Sequence, residues 1–242
     1  MCNRYVYKHS GNELKAYFEI KGKREDLADL FEPRYNIAPT NDVLGVRLGN
    51  TGAREFCRLA WDLVPAWAKD AKAGPRPLNA RSETAASKPT FREALRRRRC
   101  LMPASGFYEW QRDGLTRPQP YYFAGADGRP LAFGALWEHW EKPDGSSLET
   151  CCMLTTMANA LMGKIHDRMP VLFHPKDFDR WLCPGNQDPS ELTELFTPPP
   201  ESYLTCFPVS KRVNSVKEQG ADLIQPVVNG KTETGKGHDE FF

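Results

Sequence analysis

No stretch of this 242-residue chain approaches the roughly 18 consecutive apolar residues that span a bilayer, and its first residues, MCNRYVYKHS, lack the apolar core of a secretory signal. An excess of one charge is missing too. The 33 Lys and Arg against 31 Asp and Glu leave a formal net charge of +2, too small a bias to declare a nucleic-acid binder, although local basic patches can still steer a polyanion. The seven cysteines are an odd number, with no CxxC pair and no Cys/His spacing of the zinc kind, which argues against a disulfide scaffold and a structural zinc site. These absences point to a reducing, cytosolic setting with free thiols and no membrane partner. Internal repeats and domain linkers are also lacking, so one domain is expected.

What is present is core material: 40% hydrophobic residues, with 6 Trp, 13 Phe and 8 Tyr, exclude a disordered chain. The alternation through Tyr5, Val6 and Tyr7 predicts a short strand that anchors the N-terminus. Helical spacing of apolar residues predicts short helices over Asn12 to Ile20 and Arg24 to Phe31, the second stopped by Pro33. Strands follow at VLGVRL, EFCRLAWDLVP, RCLMPASGFYEW, PYYFA, LAFGALWEHW and TCCMLTT. Asp113-Gly114, Asp127-Gly128 and Asp144-Gly145 each lie between apolar runs and predict hairpins, hence a β-meander. Helices are expected at TFREALRRR, Ala158 to Ile165, Lys176 to Leu182 and Ser190 to Phe196. The fold class is therefore α+β, a mainly antiparallel sheet or open barrel with short helices around it, over residues 1–227, followed by a polar, Gly-rich tail over 228–242.

Several residues carry chemistry. Cys2 is a small residue after Met1, a context that permits removal of the initiator, and it would then hold a free α-amine and a free thiol on one skeleton. Against an aldehyde the amine forms a Schiff base and the thiol can close a thiazolidine on the same carbon. The competing reading is an idle cysteine at a frayed end. His166 follows a helical stretch in GKIHDRMPVLF, with Arg168 able to grip a phosphate; the competing reading is a capping histidine beside a surface ion pair. In GFYEW, strand alternation puts Tyr108 and Trp110 on one face and Phe107 and Glu109 on the other, so Glu109 is either a desolvated proton carrier or an exposed surface residue. Asn79, Arg81 and Glu83 take alternate positions of an extended LNARSET segment. Of the aromatics, Trp61 reads as core, and Trp67, beside the polar AKDAKAGP loop, as an exposed stacking platform. Arg96 to Arg99 run around a whole helix circumference and read mainly as solvated or ion-paired.

MCNRY, RYNIAPT, LNARSET, RRCLMPASGFYEW, IHDRMPVL and VNSVKEQGADLIQPV, in that order across residues 1 to 227, resemble the SOS response-associated peptidase family, the SRAP domain. The resemblance implies a protein that crosslinks to abasic sites in single-stranded DNA through Cys2 after removing its own Met1; a monomer is the default expectation, in the cytoplasm and nucleoid-associated if bacterial. No metal or organic cofactor is implied. Carried over position by position, Cys2 is the nucleophile, Asn79 orients its amine, Glu109 moves protons and His166 assists sugar ring opening. Arg4, Asn36, Pro39, Trp67, Arg81, Thr155 and Arg168 are implied to line the DNA groove. Three positions depart from the pattern: Asn3 stands where the family usually has Gly, Ala68 where some members carry a second Trp, and in ETAASKPTF the basic phosphate contact is either Lys88 or displaced by Pro89. Two other readings compete, a cysteine peptidase acting on other proteins and a non-covalent single-stranded DNA-binding module.

Overall fold

The computed structural model describes residues 2–21, 25–70, 74, 76–111, 118–142, 144–185 and 188–227. Met1, the Asp113-Gly114 turn and the tail over 228–242 lie outside them. In chain order the elements are β1 (Tyr5–Tyr7), α1 (Gly11–Tyr17), β2 (Arg34–Ile37), β3 (Asp42–Leu48), β4 (Arg54–Trp61) and β5 (Asn79–Arg81). Then come α2 (Ser82–Ala85), α3 (Arg92–Arg97), β6 (Arg99–Ala104), β7 (Gly106–Gln111), β8 (Gln119–Gly125), β9 (Leu131–Glu141) and β10 (Ser147–Met157). The chain ends with α4 (Ala160–Gly163), β11 (Arg168–Pro170), α5 (Phe178–Leu182) and β12 (Leu204–Pro208).

Local chemistry explains the punctuation. Ser10 caps α1 by accepting from the Glu13 amide while the Glu13 carboxylate accepts from the Ser10 amide at 2.7 Å, a reciprocal capping box. The stretch expected as a second helix is a 3-10 helix over Glu25–Phe31, whose threefold repeat sets the buried Leu27 and Leu30 one above the other. Pro175–Asp177 and Pro189–Phe196 are also 3-10 turns, leaving α5 as the α-helical part of its region. Asp144-Gly145 makes a true hairpin: Gly145 takes φ 82 and β9 pairs β10 from Glu141↔Ser147 to Ala135↔Met153.

The strands divide into two sheets, and the expected meander does not survive that division. One sheet runs β12-β8-β7-β1-β2. In the other, β10-β4-β3-β6-β9 closes on itself because β9 also pairs β10, while β5 and β11 extend the far end of β10. Both β6 to β7 and β8 to β9 change sheets. The Asp127-Gly128 turn is formed, with Gly128 at φ 72, yet its flanking strands do not pair, since the edges of β8 are taken by β7 and β12. A tight turn yields a hairpin only where the two strands share a free edge.

Aromatic rings fill the seam between the sheets. Phe107 stacks on Phe123 at 5.1 Å between centroids and meets Phe133 edge-on at 5.9 Å; Tyr5 meets Trp61 at 5.5 Å. Such pairs contribute about 0.5–1.5 kcal/mol each beyond their burial. Gly106 is required at the sheet crossing, because a Cβ there would lie 2.4 Å from the Phe123 carbonyl oxygen and from the Tyr122 hydroxyl. The outer face of the first sheet is covered by the C-terminal segment, with Val6, Tyr108, Tyr122, Val209 and Val213 in one buried cluster. Among the described residues, no helix is long and apolar enough to cross a membrane.

Candidate functional site

Because β1 pairs β2 on one side and β7 on the other, the residues before Tyr5 are delivered into the interior of a sheet rather than to a frayed edge. Register sets Tyr5 opposite Phe107 and Val6 opposite Gly106, and the Tyr108 amide donates to the Arg4 carbonyl at 3.0 Å. That ladder carries Cys2 toward the outgoing end of β7, where Glu109 sits. Cys2 is 1% exposed and Glu109 4%, so neither lies at a frayed end or on the surface. The Glu109 Oε1 accepts from the Trp110 amide at 3.4 Å, and its charge acts on the Cys2 thiol. Burial first, then the Glu109 charge, push the Cys2 thiol well above its ordinary value, so it is held as S–H at neutral pH.

The second sheet supplies the next group. Asn79 opens β5, and its Nδ2 donates to the Asn3 Oδ1 at 2.8 Å across a gap of 76 residues. That bond crosses the seam between the sheets. The Asn79 Oδ1 is shut off from solvent and has no hydrogen-bond partner among the described residues. A second crossing joins Gln111, last residue of β7, to the Lys164 carbonyl. His166 follows two residues later, in the turn from α4 to β11. Its Nδ1 accepts from the Arg168 amide at 3.0 Å, which in the neutral ring leaves the proton on Nε2; the 3.0 Å approach of Asp167 becomes an ion pair only in the protonated ring.

The far end of β10 is the hub for the basic groups. Thr155 lies opposite Arg81 of β5 and Pro170 of β11. Arg168, 5% exposed, reaches across to donate to the Thr155 carbonyl at 2.7 Å and grips both oxygens of Glu83 at 2.6 and 2.9 Å. That fork holds the Glu83 carboxyl below its ordinary value. Glu83 does this from α2, so it does not share the extended alternation expected for Asn79 and Arg81. Arg81 itself is exposed.

A profile of the SOS response associated peptidase (SRAP) family matches residues 1–216. The chain belongs to that family. Over 225 residues it is 38% identical to abasic site processing protein YoqW of Bacillus subtilis (strain 168), covering 93% of this chain and 99% of that one. It is 30% identical over 232 residues to abasic site processing protein YedK of Escherichia coli (strain K12), covering 94% and 100%. A crystal structure of a protein from Bacteroides thetaiotaomicron shares the fold at a TM-score of 0.82 and 21% identity, covering 94% of this chain and all of that one.

Within this SRAP chain the residues singled out from sequence are spread over several places. Cys2 and Glu109 lie buried at the seam, Asn79 reaches it through Asn3, and His166 follows two residues after Lys164, whose carbonyl accepts from Gln111. Thr155, Arg168 and Arg81 gather at the end of β10. Arg4 and Asn36 lie on the opposite face of the first sheet: Arg4 donates to the Asn36 Oδ1 at 2.8 Å and to the Val213 carbonyl at 3.0 Å, while the Asn36 amide donates to the Ser215 and Glu218 carbonyls. They tie down the C-terminal segment. Pro39 is half-buried at the β2–β3 turn, beside Thr40 at φ 71, and Trp67 is 60% exposed on its loop, as Trp61 is fully buried. A cavity of about 500 Å³ at that turn is lined by Asp29, Arg34, Asn41, Asp42 and Arg58, and by none of Cys2, Asn79, Glu109 or His166. The arginine run is likewise divided. Arg98 pairs with Glu138, and Arg99 is buried with its guanidinium on the carbonyls of Leu95, Arg96 and Trp181, capping the ends of α3 and α5. Sequence reasoning missed the Asn3–Asn79 bond and the Glu83–Arg168 fork, since neither spacing repeats a local period. Among the described residues, no group of three or more His, Cys, Asp and Glu is arranged to hold a metal ion.

Proposed function

We propose that this protein processes abasic sites in single-stranded DNA by capturing the sugar aldehyde on Cys2 once Met1 has been removed. The observation that carries the reading is that Cys2, led in by a strand held inside a sheet, is buried at the end of β7 that also buries the Glu109 carboxylate. The freed α-amine adds to the aldehyde carbon; the resulting carbinolamine loses water, with Glu109 giving the proton to the departing hydroxyl. The thiol then adds across the C=N bond, its proton passing through Glu109 to the nitrogen as the S–C bond forms. The product is a thiazolidine, and the net loss is one water. His166, with a proton on Nε2 in the neutral ring, supplies the proton needed to open the sugar, and Arg81 and Trp67 meet phosphate and base. Holding amine and aldehyde together replaces a bimolecular encounter, where well-oriented pairs reach effective molarities of about 10⁵–10⁸ M.

The buried, protonated thiol weighs against the cysteine peptidase reading, which needs a thiolate beside an imidazole. In the capture reading a neutral thiol is sufficient, because the amine attacks first. Incubation with a single-stranded oligonucleotide bearing an abasic site, read by denaturing gel and intact mass, tests it. The expected product is the chain without Met1 plus DNA minus one water, with Cys2→Ala giving none. Undiminished adduct from Cys2→Ala overturns the proposal, as does DNA retention that high salt fully reverses, the mark of a non-covalent module.

A further inference from the structure

Asn3 is next in the chain to the proposed nucleophile, and its side chain bonds the residue assigned to orient that nucleophile. Resting on the capture reading above, we propose that Asn3 is a positioning residue for the amine attack. A primary amide offers an oxygen at one end and an NH₂ at the other, and a half-turn about its last bond exchanges them. Only the oxygen can accept an N–H from the Cys2 amine. Among the described residues, the bond from Asn79 Nδ2 to Asn3 Oδ1 is the anchor that selects one orientation, and it leaves the Asn79 Oδ1 buried and without a donor. A buried acceptor in that state is unfavourable, and the α-amine released from Met1 supplies the missing donor.

The same bond spans 76 residues and ties β5 of the barrel to the residue that follows the nucleophile. Asn3 therefore sets both the direction of the Asn79 amide and the distance between the two sheets at the site. A glycine at this position has no side chain to do either.

The test uses three variants of the full chain. Asn3→Leu keeps the size and removes the acceptor; Asn3→Gly removes the side chain; Asn3→Asp presents acceptors alone and so admits just the proposed orientation of Asn79. The first-order rate of adduct formation is measured at saturating abasic single-stranded DNA, on protein whose loss of Met1 is verified by intact mass, with Tm recorded for each. Loss of one neutral hydrogen bond slows Asn3→Leu and Asn3→Gly by about 2- to 10-fold, with the final yield retained. Asn3→Asp restores a rate near that of the unaltered chain. Unaltered rates in the Leu and Gly variants overturn the inference while leaving the capture reading intact, and so does an Asp variant as slow as Leu. No adduct from the unaltered chain removes the capture reading itself.

Discussion

In the barrel, Cys152 lies beside Glu138; at the N-terminal corner, Cys2 lies beside Glu109. All four side chains are nearly or wholly buried, and in both pairs desolvation and a neighbouring carboxylate push the thiol up. The pairs differ in what the carboxylate holds. Both oxygens of Glu138 lie 2.9 Å from the Arg98 guanidinium, so that charge is answered by a charge. Glu109 instead accepts from the Trp110 amide, and its charge acts on a thiol that carries a proton to hand over. A buried cysteine is thus marked for chemistry by the group beside it and not by burial, which Cys100 and Cys151 share.

The sharpest break of this comparison is to remove each thiol in turn. Cys2→Ala is expected to abolish the DNA adduct, whereas Cys152→Ala leaves adduct formation at its normal rate; equal losses in a denaturing gel would erase the distinction. Next in size, Glu109→Gln keeps the shape but loses the proton acceptor and slows single-turnover crosslinking by about 10²- to 10⁴-fold. A rate within a factor of two of normal would mean that another group moves the proton.

Alkaline pH acts on both regions at once. The thiols of Cys2, Cys100, Cys151 and Cys152 all have folded values above their ordinary one. For a group raised in this way, the folded state retains its proton after the unfolded state has lost it. The stabilisation is therefore fully present below the unfolded value of about 8.5 and is lost as pH rises beyond it, at about 1.4 kcal/mol per pH unit for each such thiol. Urea midpoints should be level through neutral pH and fall above it; a level profile to pH 10 would contradict the burial. Smallest is Glu138→Gln, expected to cost about 1–3 kcal/mol by stranding Arg98 in a half-buried site, with crosslinking of the folded protein unchanged. If it slowed crosslinking as Glu109→Gln does, the two carboxylates would not have separate roles.

Much of this corner was legible along the chain. Alternation through Tyr5-Val6-Tyr7 predicts the anchored first strand, and alternation in GFYEW assigns Glu109 to the face of Phe107, which lies in the main core, while Tyr108 lies in the outer cluster. Trp61 and Trp67 separate as their neighbours indicate. Less legible was partner choice: Asp127-Gly128 has the chemistry of a hairpin turn and joins strands of different sheets, and Arg168 and Arg99, cationic by sequence, are engaged by Glu83 and by carbonyls.

By itself the sequence determined the longer strands, which way their side chains alternate and where several turns fall, because each of these depends on backbone sterics and period over a few neighbouring residues, whereas the short β2 and β12 carry too little period to be read. Tertiary structure alone decided which strand edges meet, and with them that Asn3 finds Asn79, that Cys2 finds Glu109 and that Glu83 finds Arg168. Those pairings depend on the closing of β9 onto β10 and the packing of one sheet on the other, where contacts form between residues brought together by the whole fold and no local period records them.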